Sequence, residues 1–151
     1  MTVYCGKLNK ISEPVKRWEG RMVAVGRKVV YIEDEQEMID LVRLILARKG
    51  YEVIGASGGR EGLDLARRIL PDVVLLDLMM PDMDGWEVYQ QMKADATTRQ
   101  IPVIVVTAKA QNIDKVLGLH IAKVEDYISK PFSPKELLDS LERVLAGSGT
   151  S

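Results

Sequence analysis

Cysteine and histidine are nearly missing from this chain of 151 residues, which holds one of each, Cys5 and His120. A lone cysteine excludes an internal disulfide and fits a reducing compartment. No run of apolar residues approaches the length that spans a bilayer. The N-terminus has no continuous apolar core of signal-peptide type, so the expected compartment is the cytoplasm. Neither charge sign is in excess: 21 Lys and Arg stand against 22 Asp and Glu, for a net charge of −1. Nothing in this balance suggests a binder of polyanions as a whole. What remains is an ordinary globular composition, 46% apolar and 28% charged, at a length that suits one domain with a sizeable core.

The most informative stretch runs from Val73 to Gly85. Val73-Val74-Leu75-Leu76 reads as a strand buried on both faces, the habit of a parallel sheet covered by helices. It ends on Asp77. An unpaired charge at the end of a buried strand costs several kcal/mol, and the carboxyl ends of strands are where open α/β sheets bind ligands. Taken alone, Asp77 either caps the turn that follows or belongs to a site.

The rest of the chain repeats this strand-then-helix pattern. Val29-Val30-Tyr31-Ile32 is a first strand running into Glu33-Asp34-Glu35. A helix follows with Met38, Leu41, Val42 and Ile45 at amphipathic spacing, closed by Gly50. Residues 52–56 form a second strand, and 59–70 a second helix burying Leu63, Ala66 and either Ile69 or Leu70 before Pro71. After the Val73 strand comes a third helix from Gly85 to about Lys93, with Val88 and Met92 inward. Val103-Ile104-Val105-Val106 is a fourth strand ending on Thr107-Ala108-Lys109. A fourth helix over roughly 112–120 precedes a fifth strand, Asp126-Tyr127-Ile128-Ser129. Pro134 opens a last helix whose Leu137, Leu141, Val144 and Leu145 face the core. The prediction is a doubly wound, flavodoxin-like α/β fold of five parallel strands and five helices, strand order 2-1-3-4-5, over residues 28–146.

Two segments lie outside that unit. Residues 1–27 are basic, with Lys7, Lys10, Lys16, Arg17, Arg21 and Arg27 against Glu13 and Glu19. They read as a loose extension or a docking arm, with a short helix placing Val15, Trp18 and Met22 on one face. The arm lacks interleaved aromatics and a recognition helix, so no nucleic-acid partner is expected. Residues 147–151 read as a flexible tail.

Strands one, three, four and five of such a sheet deliver Glu33 and Asp34, Asp77, Thr107 and Lys130 to one edge. Three carboxylates this close repel by about 4 kcal/mol per pair at 4 Å and an effective dielectric near 20. A hard divalent cation is the natural remedy: Mg²⁺ accepts a few carboxylates and keeps several waters. Neither cysteine nor histidine is near in sequence, which argues against zinc. The acidic first turn repels a bare phosphate, and no G-x-x-x-x-G-K-[ST] loop is present. Thr107 offers a hydroxyl and Lys130 an ammonium to phosphoryl oxygens, with Asp77 as oxygen nucleophile.

These residues resemble the receiver domains of two-component response regulators over roughly residues 28–146. The matching pieces are Glu33-Asp34, Asp77 with Met80-Pro81-Asp82 and Asp84-Gly85, Thr107-Ala108, and Tyr127 with Lys130-Pro131-Phe132. The resemblance implies that Asp77 accepts a phosphoryl group from a sensor histidine kinase or histidine phosphotransfer protein. It implies Mg²⁺ or Mn²⁺ held by Asp34, Asp77 and the backbone carbonyl of Met79, with Glu33 acting through water. Thr107, Ala108 and Lys130 would hold the phosphoryl group, beside a cis Lys130–Pro131 bond. Thr107 and Tyr127 would form the switch, remodelling the face made by the fourth helix, fifth strand and last helix for a downstream protein or self-association. Met79 and Lys109 occupy positions that tune dephosphorylation.

Glu33 departs from the family's usual aspartate, and its longer side chain either alters metal affinity or reaches the site directly. An apolar Met79 cannot orient water, which predicts an aspartyl phosphate that is not exceptionally short-lived. With no second domain after the sheet, the expectation is a stand-alone receiver, a signalling phosphoacceptor and not an enzyme. The rival readings are an unphosphorylated adaptor and an aspartyl-nucleophile phosphatase. The latter normally needs a second Asp where Met79 stands.

Overall fold

A computed structural model of the chain describes residues 15–18, 21–24, 27–108 and 124–148. Ahead of the main sheet, β1 (Val15–Trp18) and β2 (Arg21–Ala24) pair antiparallel, with Val15 opposite Ala24 and Trp18 opposite Arg21. This corrects the expected short helix. Two runs bearing β-branched valines and separated by two residues ending in Gly20 are a hairpin signal, and it outweighs the 3.6-residue spacing of Val15, Trp18 and Met22.

The main sheet contains β3 (Arg27–Ile32), β4 (Tyr51–Ala56), β5 (Val73–Leu76), β6 (Val103–Thr107) and β7 (Asp126–Ser129). Its order is β4-β3-β5-β6-β7 and every pairing is parallel, the 2-1-3-4-5 arrangement read from the sequence. β5 is apolar throughout and β6 is apolar up to Thr107, and every residue of both is buried because both of their faces are covered. One face carries α1 (Gln36–Ala47), whose Ile39, Val42 and Leu46 pack with Val29, Tyr31 and Leu75. The helix α4 (Pro134–Ser148) completes that layer with Leu137, Leu141, Val144 and Leu145. The opposite face carries α2 (Gly59–Ile69) and α3 (Gly85–Ala94), with Leu63, Leu65, Val88 and Met92 against Val30, Ile32 and Val74.

The helix expected over 112–120, His120 and Lys109 fall outside the described residues, and four helices are seen among the described ones. One side chain differs from expectation. Leu41 points outward at 46% exposure, because the buried stripe of α1 is Ile39, Val42 and Leu46. Of Ile69 and Leu70, Ile69 packs against the core and Leu70 is exposed: it sits past the last turn of α2 at φ 51°, ψ 65°, its N–H donating to the Ala66 carbonyl. Pro71 follows and disfavours a further helical residue at Leu70. At the chain's end α4 reaches Ser148, two residues beyond the predicted boundary at Ala146.

Candidate functional site

Register assembles the site. Ile32 is paired with Leu76, Leu76 with Val105, and Thr107 with Ser129. The residues just past these strands, Glu33, Asp34, Asp77 and Lys130, therefore converge with Thr107 on one edge of the sheet. Carboxylate oxygens of Glu33, Asp34 and Asp77 lie within 4.8 Å of one another. Asp34 is exposed, whereas Glu33, Asp77 and Thr107 are buried.

Glu33 has no solvent exposure and is held by three donors. The Tyr31 hydroxyl donates to Oε1 at 3.0 Å, the Lys130 ammonium donates to the same oxygen at 2.6 Å, and the Glu35 backbone N–H donates to Oε2 at 3.1 Å. A buried carboxylate satisfied in this way avoids most of the desolvation penalty that an orphaned charge would carry. Burial, then the Glu33 charge and hydrogen bond, push the Tyr31 phenol far above the usual range, so it remains a hydroxyl donor.

Asp77 is held by its own loop: Oδ1 accepts from the Met79 N–H at 3.1 Å. Its Oδ2 lies 3.6 Å from Lys130 Nζ, an ion pair too long for a hydrogen bond. Burial raises the Asp77 pKa and the Glu33 charge adds to it, while the Met79 N–H and the Lys130 charge oppose; the outcome is about 6. Burial works against the Lys130 charge, but the Glu33 hydrogen bond and the Asp77 and Glu33 carboxylates prevail and hold its ammonium above the usual value. The Lys130–Pro131 bond is cis, as anticipated, and the Lys130 N–H donates to the Thr107 carbonyl at 2.9 Å. Tyr127, on β7, is 43% exposed. Ala108 is exposed beside Thr107, and the Met79 side chain points to solvent at 53% exposure.

Three supporting residues have no structural role assigned to them in the sequence reading. Tyr31 is two residues before Glu33 and so shares its face of β3; a phenol in an otherwise aliphatic strand was the available signal. Gly85 packs against the phosphoacceptor candidate's own backbone: a Cβ there would stand 2.4 Å from the Asp77 carbonyl oxygen and 2.6 Å from Leu78 Cα. Asp82 caps α2 from another loop, its carboxylate accepting from the Gly59 N–H at 3.1 and 3.2 Å. That contact spans 23 residues, and no local pattern announces it.

The donor set suits a hard cation. Carboxylate oxygens, with a backbone carbonyl in the adjoining loop, match Mg²⁺ chemistry. A doubly wound parallel sheet with a buried Asp at its central strand end, an acidic pair beside it and a Lys opposite defines a class of phosphoryl-accepting signalling domain. The chain belongs to the response regulator receiver domain family, whose model matches residues 29–142.

Among similar proteins is the alkaline phosphatase synthesis transcriptional regulatory protein PhoP of Bacillus subtilis (strain 168), 38% identical over 124 residues. The match covers 82% of this chain and 50% of PhoP, so the chain spans about half the length of that relative. A CheY-like receiver domain protein from Methanospirillum hungatei JF-1 is similar in structure, with TM-score 0.74 and 28% identity over 82% of this chain and 96% of that one. The receiver domain of the sensor histidine kinase PA1611 from Pseudomonas aeruginosa PAO1 has TM-score 0.74 and 29% identity, covering 81% and 99% of the two chains. That protein was solved with a magnesium ion coordinated in its active-site cleft.

Proposed function

We propose that this receiver domain is switched by phosphorylation of Asp77, with a sensor histidine kinase or a histidine phosphotransfer protein as donor. The observation that carries the reading is the placement of Asp77: buried at the end of β5, 3.6 Å from Lys130 and within 4.8 Å of both other acids. In the reaction a carboxylate oxygen of Asp77 forms a bond to phosphorus as the phosphorus–nitrogen bond to the donor imidazole breaks, giving an acyl phosphate. Asp34, Asp77 and the Met79 carbonyl would hold Mg²⁺ or Mn²⁺, with Glu33 acting through water. The bound ion supplies charge neutralisation for the crowded oxygens.

Lys130 pairs with the incoming phosphoryl oxygens, and the Thr107 hydroxyl and the Ala108 backbone complete their cradle. Movement of Thr107 toward the phosphoryl group leaves space that Tyr127, half exposed on β7, rotates to fill. The face altered would be the one containing β7 and α4, offered to a downstream protein or a second copy. Met79, apolar and turned to solvent, would leave water near the acyl phosphate unoriented, and Lys109 would be the second residue setting its lifetime. On this reading the domain turns over no substrate of its own. No helix among the described residues is long and apolar enough to cross a membrane, and the cytoplasm is the compartment we assign.

Intact mass spectrometry after incubation with Mg²⁺ and a small-molecule phosphodonor tests the reading. One added phosphoryl group on the wild type, absent from Asp77→Asn and from a chelated control, is expected. No adduct under those conditions would leave an adaptor that keeps the fold without the chemistry.

A further inference from the structure

Tyr31 has no part in the phosphorylation chemistry described above, yet it is paired with Glu33 of the acidic cluster. Both side chains have no solvent exposure, and the two-residue period of β3 sets them on one face, against α1 and α4. A buried phenol needs an acceptor, and Glu33 Oε1 provides it at 3.0 Å. The same oxygen accepts from Lys130 at 2.6 Å. A carboxylate oxygen has about two lone-pair sites, so Oε1 is fully occupied. Oε2 accepts from one donor, the Glu35 N–H at 3.1 Å, and has one site left.

We propose that Tyr31 is a positioning residue for the divalent cation: its hydroxyl turns Glu33 so that Oε1 faces Lys130 and Oε2 is left for a metal-bound water. This rests on reading the acidic cluster as the Mg²⁺ site. It also gives the glutamate at position 33 a physical reason. An aspartate there would withdraw its carboxylate by about 1.5 Å, one carbon–carbon bond, and would leave the phenol without its acceptor. Glu33 and Tyr31 are thus a matched combination, in which the longer acid is made to behave as a shorter one by a donor from below. Residues that orient a metal's carboxylates commonly change its affinity 10- to 100-fold when removed.

The test is calorimetric titration of the full chain with Mg²⁺ alone, without any phosphodonor, on the wild type, Tyr31→Phe, Glu33→Asp and the double variant. Tyr31→Phe is expected to weaken Mg²⁺ binding about tenfold. In the Glu33→Asp background the same change is expected to have no effect on Mg²⁺ affinity, because the shorter carboxylate no longer meets the hydroxyl. A hydroxyl that serves only stability would lower the melting temperature and leave Mg²⁺ affinity unmoved in both backgrounds, which overturns the proposal. An equal loss of affinity in both backgrounds overturns it as well, since the effect would not pass through Glu33. Absence of Mg²⁺ binding by the wild type would overturn the metal reading of the cluster, and this inference with it. Binding by the wild type that is unchanged in Tyr31→Phe would remove this inference alone.

Discussion

Lys130 bonds Glu33 and not Asp77: its ammonium is 2.6 Å from the Glu33 carboxylate and 3.6 Å from the Asp77 oxygen facing it. The cation is therefore held by a neighbouring carboxylate and not by the group it would serve. On the proposed reading, its transfer from Glu33 toward a phosphorylated Asp77 would exchange one charge-assisted hydrogen bond for another.

Removing that cation should be costly. Lys130→Met leaves Glu33 fully buried beside Asp77 with no compensating charge, and breaking a buried pair from one side costs roughly 3–5 kcal/mol. With the Tyr31 and Glu35 donors still in place, a loss of about 2–4 kcal/mol is expected in urea denaturation under chelation. Saturating Mg²⁺ should narrow the gap to wild type. A midpoint unchanged by the substitution would show that the pair behaves like an exposed surface bridge.

Asp77 carries a penalty of its own. Its pKa in the folded chain, about 6, lies above the ordinary 3.8. Between those values the folded state binds more protons than the unfolded one, so stability falls as pH rises from about 4 to 6 and the penalty is full above that. Asp77→Asn removes it. At one unit per about 1.4 kcal/mol, the metal-free variant should exceed wild type by roughly 1–3 kcal/mol at pH 7. The two should converge near pH 4. Thermal melts in chelator across that range check it, and a gap that widens toward acid would contradict the assignment.

Gly85 and Gly147 make a matched contrast. A Cβ at Gly85 collides with backbone atoms of Asp77 and Leu78, which cannot swing aside, whereas at Gly147 nothing lies within 4 Å. Gly85→Ala should destabilise by more than 2 kcal/mol, on the order of an overpacked core site, and shift Asp77. Gly147→Ala, in the last turn of α4, should gain up to about 1 kcal/mol from helix propensity. Equal small effects at both positions would mean that the loop after β5 yields more readily than its geometry implies.

Asp82 joins two loops, and its loss should be local. Asp82→Ala frees the Gly59 N–H at the start of α2, where the N-cap residue Gly58 has no side chain to replace it. The expected cost is ~1 kcal/mol, that of a lost cap. Amide exchange should accelerate in the first turn of α2 and in the loop after Asp77, with β5 unchanged. Unaltered exchange at Gly59 would show that water serves the amide equally well.

Much of this protein is written in local pattern. Four- to six-residue runs rich in buried β-branched and aliphatic side chains specify covered parallel strands, and amphipathic period names Val88 and Met92 of α3, though not Trp86 and Tyr89, and Leu137, Leu141, Val144 and Leu145 of α4. The periodicity of α1 is ambiguous by one position: it admits Leu41 to the inner stripe, whereas the buried stripe centres on Ile39, Val42 and Leu46. At residues 15–24, helical spacing and a two-residue turn signal competed, and the hairpin prevailed.

The sequence by itself determined the sheet order, the edge that carries the chemistry, and the acids, Thr107 and Lys130 that meet there, since each is the residue that ends or follows a recognisable strand. The tertiary structure alone decided how those groups are shared: Lys130 on Glu33, Tyr31 beneath the same oxygen, Gly85 against Asp77, and Asp82 across to α2. The physical reason is range. Strand and helix patterns are set by neighbours within a few residues, whereas Glu33 and Lys130 are 97 residues apart, and only the packed register of β3, β5, β6 and β7 brings their charges to hydrogen-bond distance.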